Sequence, residues 1–354
     1  MISEFYKNKR VLVTGHTGFK GSWLCMILLE MGAKVCGIGL EPNTNPSIYT
    51  MLNLEQKIQS NICDIRDLEH VREIFYDFKP EVVFHLAAQP LVLDSYEQPV
   101  YTYEVNVVGT LNICECIRET SSVKSFINVT TDKVYMNKEE KTHLYSEFDE
   151  LNGFDPYSNS KSCAELITSC YVKSFFNAKN LPVSTCRAGN VIGGGDFSKN
   201  RIIPDCVDVA LNGGKIRVRN QNSIRPYQHV LEADMFYLYL AKKQWEDLSL
   251  SGSYNVGPYE KDAISTGVLC DIFVCCWGEN ISWEAKELEG PHEANFLRLS
   301  INKAISKLAW KPVWNVKMAV TKVVEWAKVY RSNGDIENIT KKQINEYMEE
   351  CTWL

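Results

Sequence analysis

The chain has no run of lysine or arginine, no CxxC pair and no apolar stretch of membrane-spanning length. Each absence removes a class of function. Lys and Arg total 38 against 44 Asp and Glu, a formal net charge of -6, and no cationic tail exists to grip a phosphate backbone. Nucleic acid is therefore not an expected partner, and neither is a membrane. The 13 cysteines are scattered. Cys114 and Cys116 are one residue apart and Cys275 and Cys276 are adjacent, spacings that suit neither a zinc site nor a disulfide framework. Cys36, inside AKVCGIGL, reads as a small hydrophobe. Reduced thiols are expected, and with them the cytoplasm. The N-terminus, MISEFYKNKRVLVTG, runs into a strand and a glycine loop without the apolar core of a secretory leader. No HxxxH or carboxylate cluster points to a metal. His16 and His85 pair with no Ser or Cys in a nucleophile motif, so hydrolase chemistry is not expected. There is no internal repeat and no low-complexity linker.

What is present is an ordinary globular composition, 45% hydrophobic and 23% charged, over 354 residues. That length suits two fused lobes. KRVLVT (Lys9 to Thr14), Ala33 to Leu40, EVVFHL (Glu81 to Leu86), SFINVT (Ser125 to Thr130) and Val183 to Arg187 read as buried strands. Asn61 to Ile65 leads into a third crossover. Helical segments lie between them: Gly21 to Met31, Leu68 to Phe78, Val105 to Glu119 and Ser158 to Asn177. Alternation of this kind predicts an α/β fold, a doubly wound parallel sheet built from right-handed crossovers. Beyond Arg187 the pattern degrades. We expect residues 1–187, with a return segment of about 226–262, to form a dinucleotide-binding domain. Residues 188–225 and 263–354 are expected to form a smaller mixed α/β C-terminal lobe over the carboxyl ends of the strands, where such sheets bind ligands.

Thr14 to Gly21 (TGHTGFKG) follows a strand and opens a helix, with glycines spaced GxxGxxG. Gly15 permits a tight turn, Gly18 lets a pyrophosphate approach the backbone, and Gly21 allows the helix to pack close to the strand. The helix N-terminus then offers N–H groups to phosphate. This is a Rossmann-like signature. Where an Asp commonly binds the ribose hydroxyls, spacing puts Gly39, with Glu41 two residues on. No Arg follows closely to meet a 2′-phosphate, which favours NAD over NADP. Asp64 reads either as a contact to the adenine edge or as a helix N-cap.

Tyr157 and Lys161 form YxxxK at the start of a helix, a spacing that places both side chains on one face. A phenol there can take the proton of a carbinol as hydride leaves. A neighbouring ammonium lowers the phenol pKa and can hold a ribose. Thr130-Thr131-Asp132-Lys133 ends a strand about 25 residues upstream. Its hydroxyls can bond the sugar or the phenol, and Asp132 can serve as an acid, which requires a poorly solvated carboxyl.

Six motifs in order resemble those of the extended short-chain dehydrogenase/reductase family. They are VLVTGHTGFKG, HLAAQP (His85 to Pro90), NVVGT (Asn106 to Thr110), YSNSK, RAGNVIGGGD and SYNVGP. The resemblance implies a Rossmann-like domain, a substrate lobe, bound NAD and a homodimer. It places Gly15, Thr17, Gly18, Phe19, Lys20, Asp64, Ile65, Leu86, Ala87, Ala88, Gln89, Asn106, Thr130, Tyr157 and Lys161 at the cofactor. Within the family, GHTGFKGSWL, TTDKVY and RPYQHV look like the nucleotide-sugar 4,6-dehydratases, with CDP-glucose the favoured substrate. That implies Thr131, Asp132, Lys133, Tyr157 and Lys161 as catalytic residues. Related dehydratases usually carry a Glu base where this chain has Lys133, so the base at the sugar C5 stays open. A neutral Lys133 could take that proton, or its cation could stabilise the enolate. Asn190, Arg201, Arg219, Arg225 and Arg298 are the expected contacts to a nucleotide-diphosphate sugar, since Arg suits bidentate phosphate binding. The resemblance also points to deoxysugars of a bacterial surface glycan. The competing readings are a nucleotide-sugar 4-epimerase, which needs no elimination acid, and a non-catalytic NAD-sensing scaffold, against which intact Tyr157 and Lys161 argue.

Overall fold

The computed structural model describes residues 2–278, 281–285 and 294–353. Seven segments form one parallel sheet: β1 (Arg10–Thr14), β2 (Lys34–Gly39), β3 (Gln59–Ile62), β4 (Val82–His85), β5 (Ser125–Val129), β6 (Val183–Ala188) and β7 (Gly252–Val256). Their order is β7-β6-β5-β4-β1-β2-β3. Chain order reverses between β1 and β4, so the crevice above their carboxyl ends is the switch point where ligands bind such sheets. β1 shows why the strands read as apolar runs. Val11 and Val13 face one core and Leu12 the other, because successive side chains alternate across a sheet covered on both sides.

The first crossover helix, α1 (Phe19–Glu30), is buried from Gly21 to Leu28 without a polar face. It lies between the sheet and two later helices, α4 (Val230–Glu246) and α6 (Ile336–Glu350), so nearly every side chain meets protein. On the other face lie α2 (Gly109–Glu119) and α3 (Pro156–Tyr171). The helix expected from Ser158 to Asn177 starts at Pro156, where Asp155 caps it by accepting from the Ser158 N–H at 2.9 Å. Its last stretch, residues 172–176, widens into a π turn. A second π turn at residues 104–108 leads into α2, so the helix expected from Val105 is regular only from Gly109.

The smaller lobe has its own core, in which Ile203, Cys206, Ile216, Val218, Leu269, Phe273 and Trp277 pack against one face of α5 (Val316–Arg331). The division expected at residue 263 differs at the C-terminus. Ile339, Ile344 and Tyr347 of α6 pack into the core of the sheet domain, beside α1. The reason is local: Glu232 of α4 accepts from the Val313 and Trp314 N–H groups and from the Tyr347 hydroxyl at 2.9, 2.6 and 2.8 Å. This carboxyl ties the C-terminal segments to the first domain. Residues 279–280 and 286–293, within the range assigned to the lobe, lie outside the described residues. Among the described residues no helix is long and apolar enough to cross a membrane, and no group of three or more His, Cys, Asp or Glu could hold a metal ion.

Candidate active site

The glycine loop is built on close approach. Gly15 has φ +74°, and a Cβ on it would stand 2.8 Å from the Ala87 nitrogen. A Cβ on Gly21 would lie 2.0 Å from the Gly15 oxygen, so the helix can start this near the strand only without a side chain there. Gly18 is different. The nearest atom to its Cβ position is the Gly15 oxygen at 3.4 Å, which leaves its outer side open at the helix N-terminus. That opening is the cradle a pyrophosphate needs.

The loop is tied down by Thr14 and Thr17. Thr14 Oγ1 accepts from the Leu86 and Ala87 N–H groups at 3.1 Å each and bonds His85 Nδ1 at 2.7 Å. The Thr17 hydroxyl donates to the Leu40 carbonyl at 2.7 Å. His16 explains the glycine at the usual ribose position. Its buried imidazole bonds Ser60 Oγ at 2.7 Å and fills the space over β2. A Cβ on Gly37 would come within 2.3 Å of that ring, and one on Gly39 within 3.2 Å. Burial lowers the His16 pKa to about 4, so the ring is neutral.

Asp64 stands after β3 with its carboxylate paired to Arg66 at 2.8 Å, and hydrogen bonds from Arg66 hold its pKa below the usual carboxylate value. It is not the helix N-cap considered from sequence; Asp67 caps that helix. Ile65 is buried against Gly109, where a Cβ would meet it at 2.4 Å.

Two expected cofactor contacts also brace the loop after β4. Asn106 accepts from the Gln89 N–H at 2.8 Å and donates to the Gln89 carbonyl at 3.1 Å and to Ser160 Oγ at 2.9 Å. Gln89 spends its amide on Leu91 and Thr102. Their side-chain atoms are thus committed within the protein. Thr130 is held in a similar way, its hydroxyl donating to Glu165 at 2.6 Å.

A cavity of about 640 Å³ opens over the carboxyl ends of β5 and β6. Its walls include Phe19 and Lys20 from the glycine loop, Thr130 to Lys133, Tyr157, Asn190, Arg201, Arg219 and Arg225. The size suits a drug-sized or larger ligand. Thus four of the five expected catalytic residues line it, with Lys161 one turn beyond Tyr157 on α3, together with four of the five expected substrate residues. Arg298 is the exception. It lies apart, beside Tyr259 and Lys261, and pairs with Glu260 at 3.4 Å. A lone arginine in a sequence carries no direction, and here a nearby carboxylate claims it. Sequence reading also missed groups on the cavity wall, among them Tyr135, Asp205 and Tyr227. Tyr135 and Tyr227 lie within TTDKVY and RPYQHV, so the motifs could have pointed to them, whereas Asp205 sits in a helix with no motif around it.

Electrostatics separate three titratable groups. Asp132 is 2% exposed, and burial raises its pKa to about 6, against the pull of Lys133 and Arg225. The Thr131 hydroxyl donates to its Oδ1 at 3.1 Å, while Oδ2 has no partner among the described residues. Lys161 is 4% exposed and donates to the Val129 carbonyl at 3.3 Å. Its pKa is lowered to about 7 by burial, then by the nearby Lys20 cation. Tyr157 is pushed up to about 12 by burial, with the Thr131 hydroxyl and Arg201 opposing. The expected lowering of the phenol by Lys161 is therefore not what governs Tyr157 in this state: its ammonium is turned to a β5 carbonyl, and desolvation dominates.

A glycine cradle, a Tyr-Lys helix and a buried carboxyl in one crevice make a proton-handling site beside a dinucleotide. Residues 12–323 match the family model described as GDP-mannose 4,6 dehydratase. The chain belongs to this family. Its similarity to CDP-glucose 4,6-dehydratase of Salmonella typhimurium is 43% identity, covering 99% of each chain. The human dTDP-D-glucose 4,6-dehydratase is 27% identical, over 92% of this chain and 91% of its own. Among solved structures, dTDP-glucose 4,6-dehydratase from Bacillus anthracis in complex with NAD aligns with a TM-score of 0.74 at 20% identity. It covers 93% of this chain and 99% of that one. UDP-glucose 4-epimerase of Thermus thermophilus, also in complex with NAD, aligns with a TM-score of 0.76 at 25% identity, over 90% and 99%. These dehydratases and epimerases share the doubly wound sheet described above.

Proposed function

We propose that this protein is an NAD-dependent hydro-lyase that converts CDP-glucose to CDP-4-dehydro-6-deoxyglucose. The observation that carries the reading is Asp132. A carboxyl kept protonated to about pH 6 by burial, in the same cavity as Tyr157, with Lys161 one turn further along the Tyr157 helix, is what elimination of a hydroxyl requires. A simple reductase has no use for it. The choice of CDP-glucose rests on the Salmonella relative.

The chain's residues divide the work. Tyr157 is the base for the C4 hydroxyl proton, and the Thr131 hydroxyl beside it favours the phenolate against the pull of burial. NAD, when bound, would supply the hydride acceptor for C4 and the hydride donor for C6. Gly15, Gly18 and the N-terminus of α1 hold its pyrophosphate. Lys161 supplies an ammonium at the ribose end and a positive field near the phenol. The C4 ketone acidifies the C5 proton, and Asp132 donates to the departing C6 hydroxyl. Lys133, on the same wall as Asp132, takes the C5 proton as an amine, or holds the enolate as a cation while another group takes that proton. Arg201, Arg219 and Arg225 meet the diphosphate, with Asn190 at the sugar end.

The working unit is a homodimer. Val108, Leu111, Leu166 and Phe175 are 38 to 58% exposed on or beside α2 and α3, on the faces turned away from the sheet. An apolar face of this kind suits a four-helix contact with a second copy. All 13 cysteines are free, which agrees with a reducing cytoplasm.

The test is incubation of the purified protein with CDP-glucose and NAD, read by mass. Loss of one water without net NADH establishes the dehydratase. A product of unchanged mass establishes an epimerase instead. An inert CDP-glucose beside an active dTDP- or GDP-linked sugar overturns the choice of nucleotide alone.

A further inference from the structure

Tyr157 and Lys161 are the first two members of a longer stripe. Glu165 continues it at the same spacing of four on α3, so all three side chains lie along one helical face. Each is matched to one residue at the end of β5. The Tyr157 phenol meets the Thr131 hydroxyl. Lys161 Nζ donates to the Val129 carbonyl at 3.3 Å. Thr130 Oγ1 donates to Glu165 Oε1 at 2.6 Å. Strand end and helix are thus stitched together over three consecutive residues, and the next residue is Asp132.

Glu165 is 3% exposed, so its carboxylate depends on its partners. Arg187 of β6 grips it side-on, Nε to Oε1 at 3.0 Å and Nη2 to Oε2 at 2.9 Å. The Thr185 hydroxyl donates to Oε2 at 2.7 Å. Both oxygens are therefore doubly satisfied, in the planar bidentate geometry that fixes direction as well as charge. Arg187 Nη1 also donates to the Tyr135 hydroxyl at 3.1 Å, which in turn donates to Asn255 Oδ1 at 2.5 Å on β7. The network reaches across β5, β6 and β7, and Tyr135 lines the substrate cavity.

We infer that Glu165 is a positioning residue for dehydration: through Thr130 it holds the strand end bearing Asp132 in register with the helix bearing Tyr157 and Lys161. The two halves of the chemistry sit on different elements. Oxidation at C4 belongs to α3, and acid assistance at C6 belongs to the strand end. Two elements that drift relative to one another still permit the first and impair the second. A shift of one ångström in a reacting group can cost roughly a hundredfold in rate.

The role rests on the dehydratase reading, so wild type is run beside each variant on CDP-glucose and NAD. Thr130→Val keeps the shape of the buried side chain and removes only the donor to Glu165; Thr130→Ser restores it. Thr130→Val is expected to lower kcat by roughly ten- to a hundredfold. KM and the NAD dissociation constant should stay within about twofold. In a single turnover, reduced nicotinamide should accumulate, because C4 oxidation outruns elimination. Thr130→Ser should return kcat to near the wild-type value, and Glu165→Gln, if it folds, should behave as Thr130→Val does. The proposal is overturned if Thr130→Val keeps wild-type kcat. It is also overturned if activity falls with NAD affinity and no reduced cofactor builds up, since that is a binding or purely structural defect. A wild type inert on CDP-glucose strikes the dehydratase reading and this one together, whereas an active wild type beside an unimpaired Thr130→Val strikes this one alone.

Discussion

Asp132 shows how much a residue's neighbours decide. Its place after Thr130-Thr131 makes it visible in the sequence as an acid, but burial is what raises its pKa to about 6. As a donor it works only when protonated. Acid-assisted elimination should therefore be full below about pH 6 and fall as pH rises through that value, and a pH profile of kcat checks the sign. Asp132→Asn should lower dehydration by about a hundred- to ten-thousandfold. It should leave C4 oxidation, seen as reduced nicotinamide without loss of water. Arg298 illustrates the opposite case, a residue whose type suggested a diphosphate contact and whose partner is Glu260. Asn106 and Gln89 were legible as motif residues, yet their hydrogen bonds make them braces of the loop after β4. A motif names a residue's importance more readily than its partner, because the partner comes from elsewhere in the chain.

Among the elements, the strand–loop–helix unit at residues 10–30 was the most legible. Glycine spacing, an apolar run and a helix start are all local signals. The three glycines nevertheless do different things, and alanine substitution separates them. Gly21→Ala places a methyl 2.0 Å from a backbone oxygen and should unfold the loop, lowering Tm in a thermal melt even without ligand. Gly18→Ala meets nothing closer than 3.4 Å and should leave stability within about 0.5 kcal/mol. It should still weaken NAD by tenfold or more, roughly 1.4 kcal/mol, measured by titration calorimetry. Equal losses of Tm in both variants would show that Gly18 is structural. The π turns at residues 104–108 and 172–176 were not legible, because one extra residue in a turn leaves no mark on hydrophobic periodicity.

For the whole molecule, assembly and the seam between the lobes matter most. Leu166 is 58% exposed on α3, and Leu166→Glu should convert a dimer to a monomer by light scattering without changing the far-UV spectrum. A wild type that is already monomeric at micromolar concentration defeats the dimer. Glu232 ties α6 to the sheet domain as a buried carboxyl whose pKa is raised from 4.5 to about 7 by burial. The folded state therefore binds the proton more tightly than the unfolded chain. Its contribution is fully present below about pH 4.5 and is lost as pH rises through about 7. Glu232→Gln keeps an acceptor for the Val313 and Trp314 N–H groups without a charge to bury. It should raise stability at pH 8 by on the order of 2–3 kcal/mol relative to its effect at pH 5, read from melts at the two values.

The order of motifs along the chain was enough to determine the α/β class, the parallel sheet, the dinucleotide cradle and the Tyr-Lys pair. All of these are set by contacts a few residues apart or by periodicity within one element. Only the tertiary structure decided that Thr130 turns inward to Glu165, that Arg298 leaves the site, and that α6 belongs to the sheet domain. Those outcomes depend on partners 35 to 115 residues distant, such as Glu165 for Thr130 and Tyr347 for Glu232. Burial and the competition of buried polar groups for one another act across such distances, and they exist only once the chain has folded.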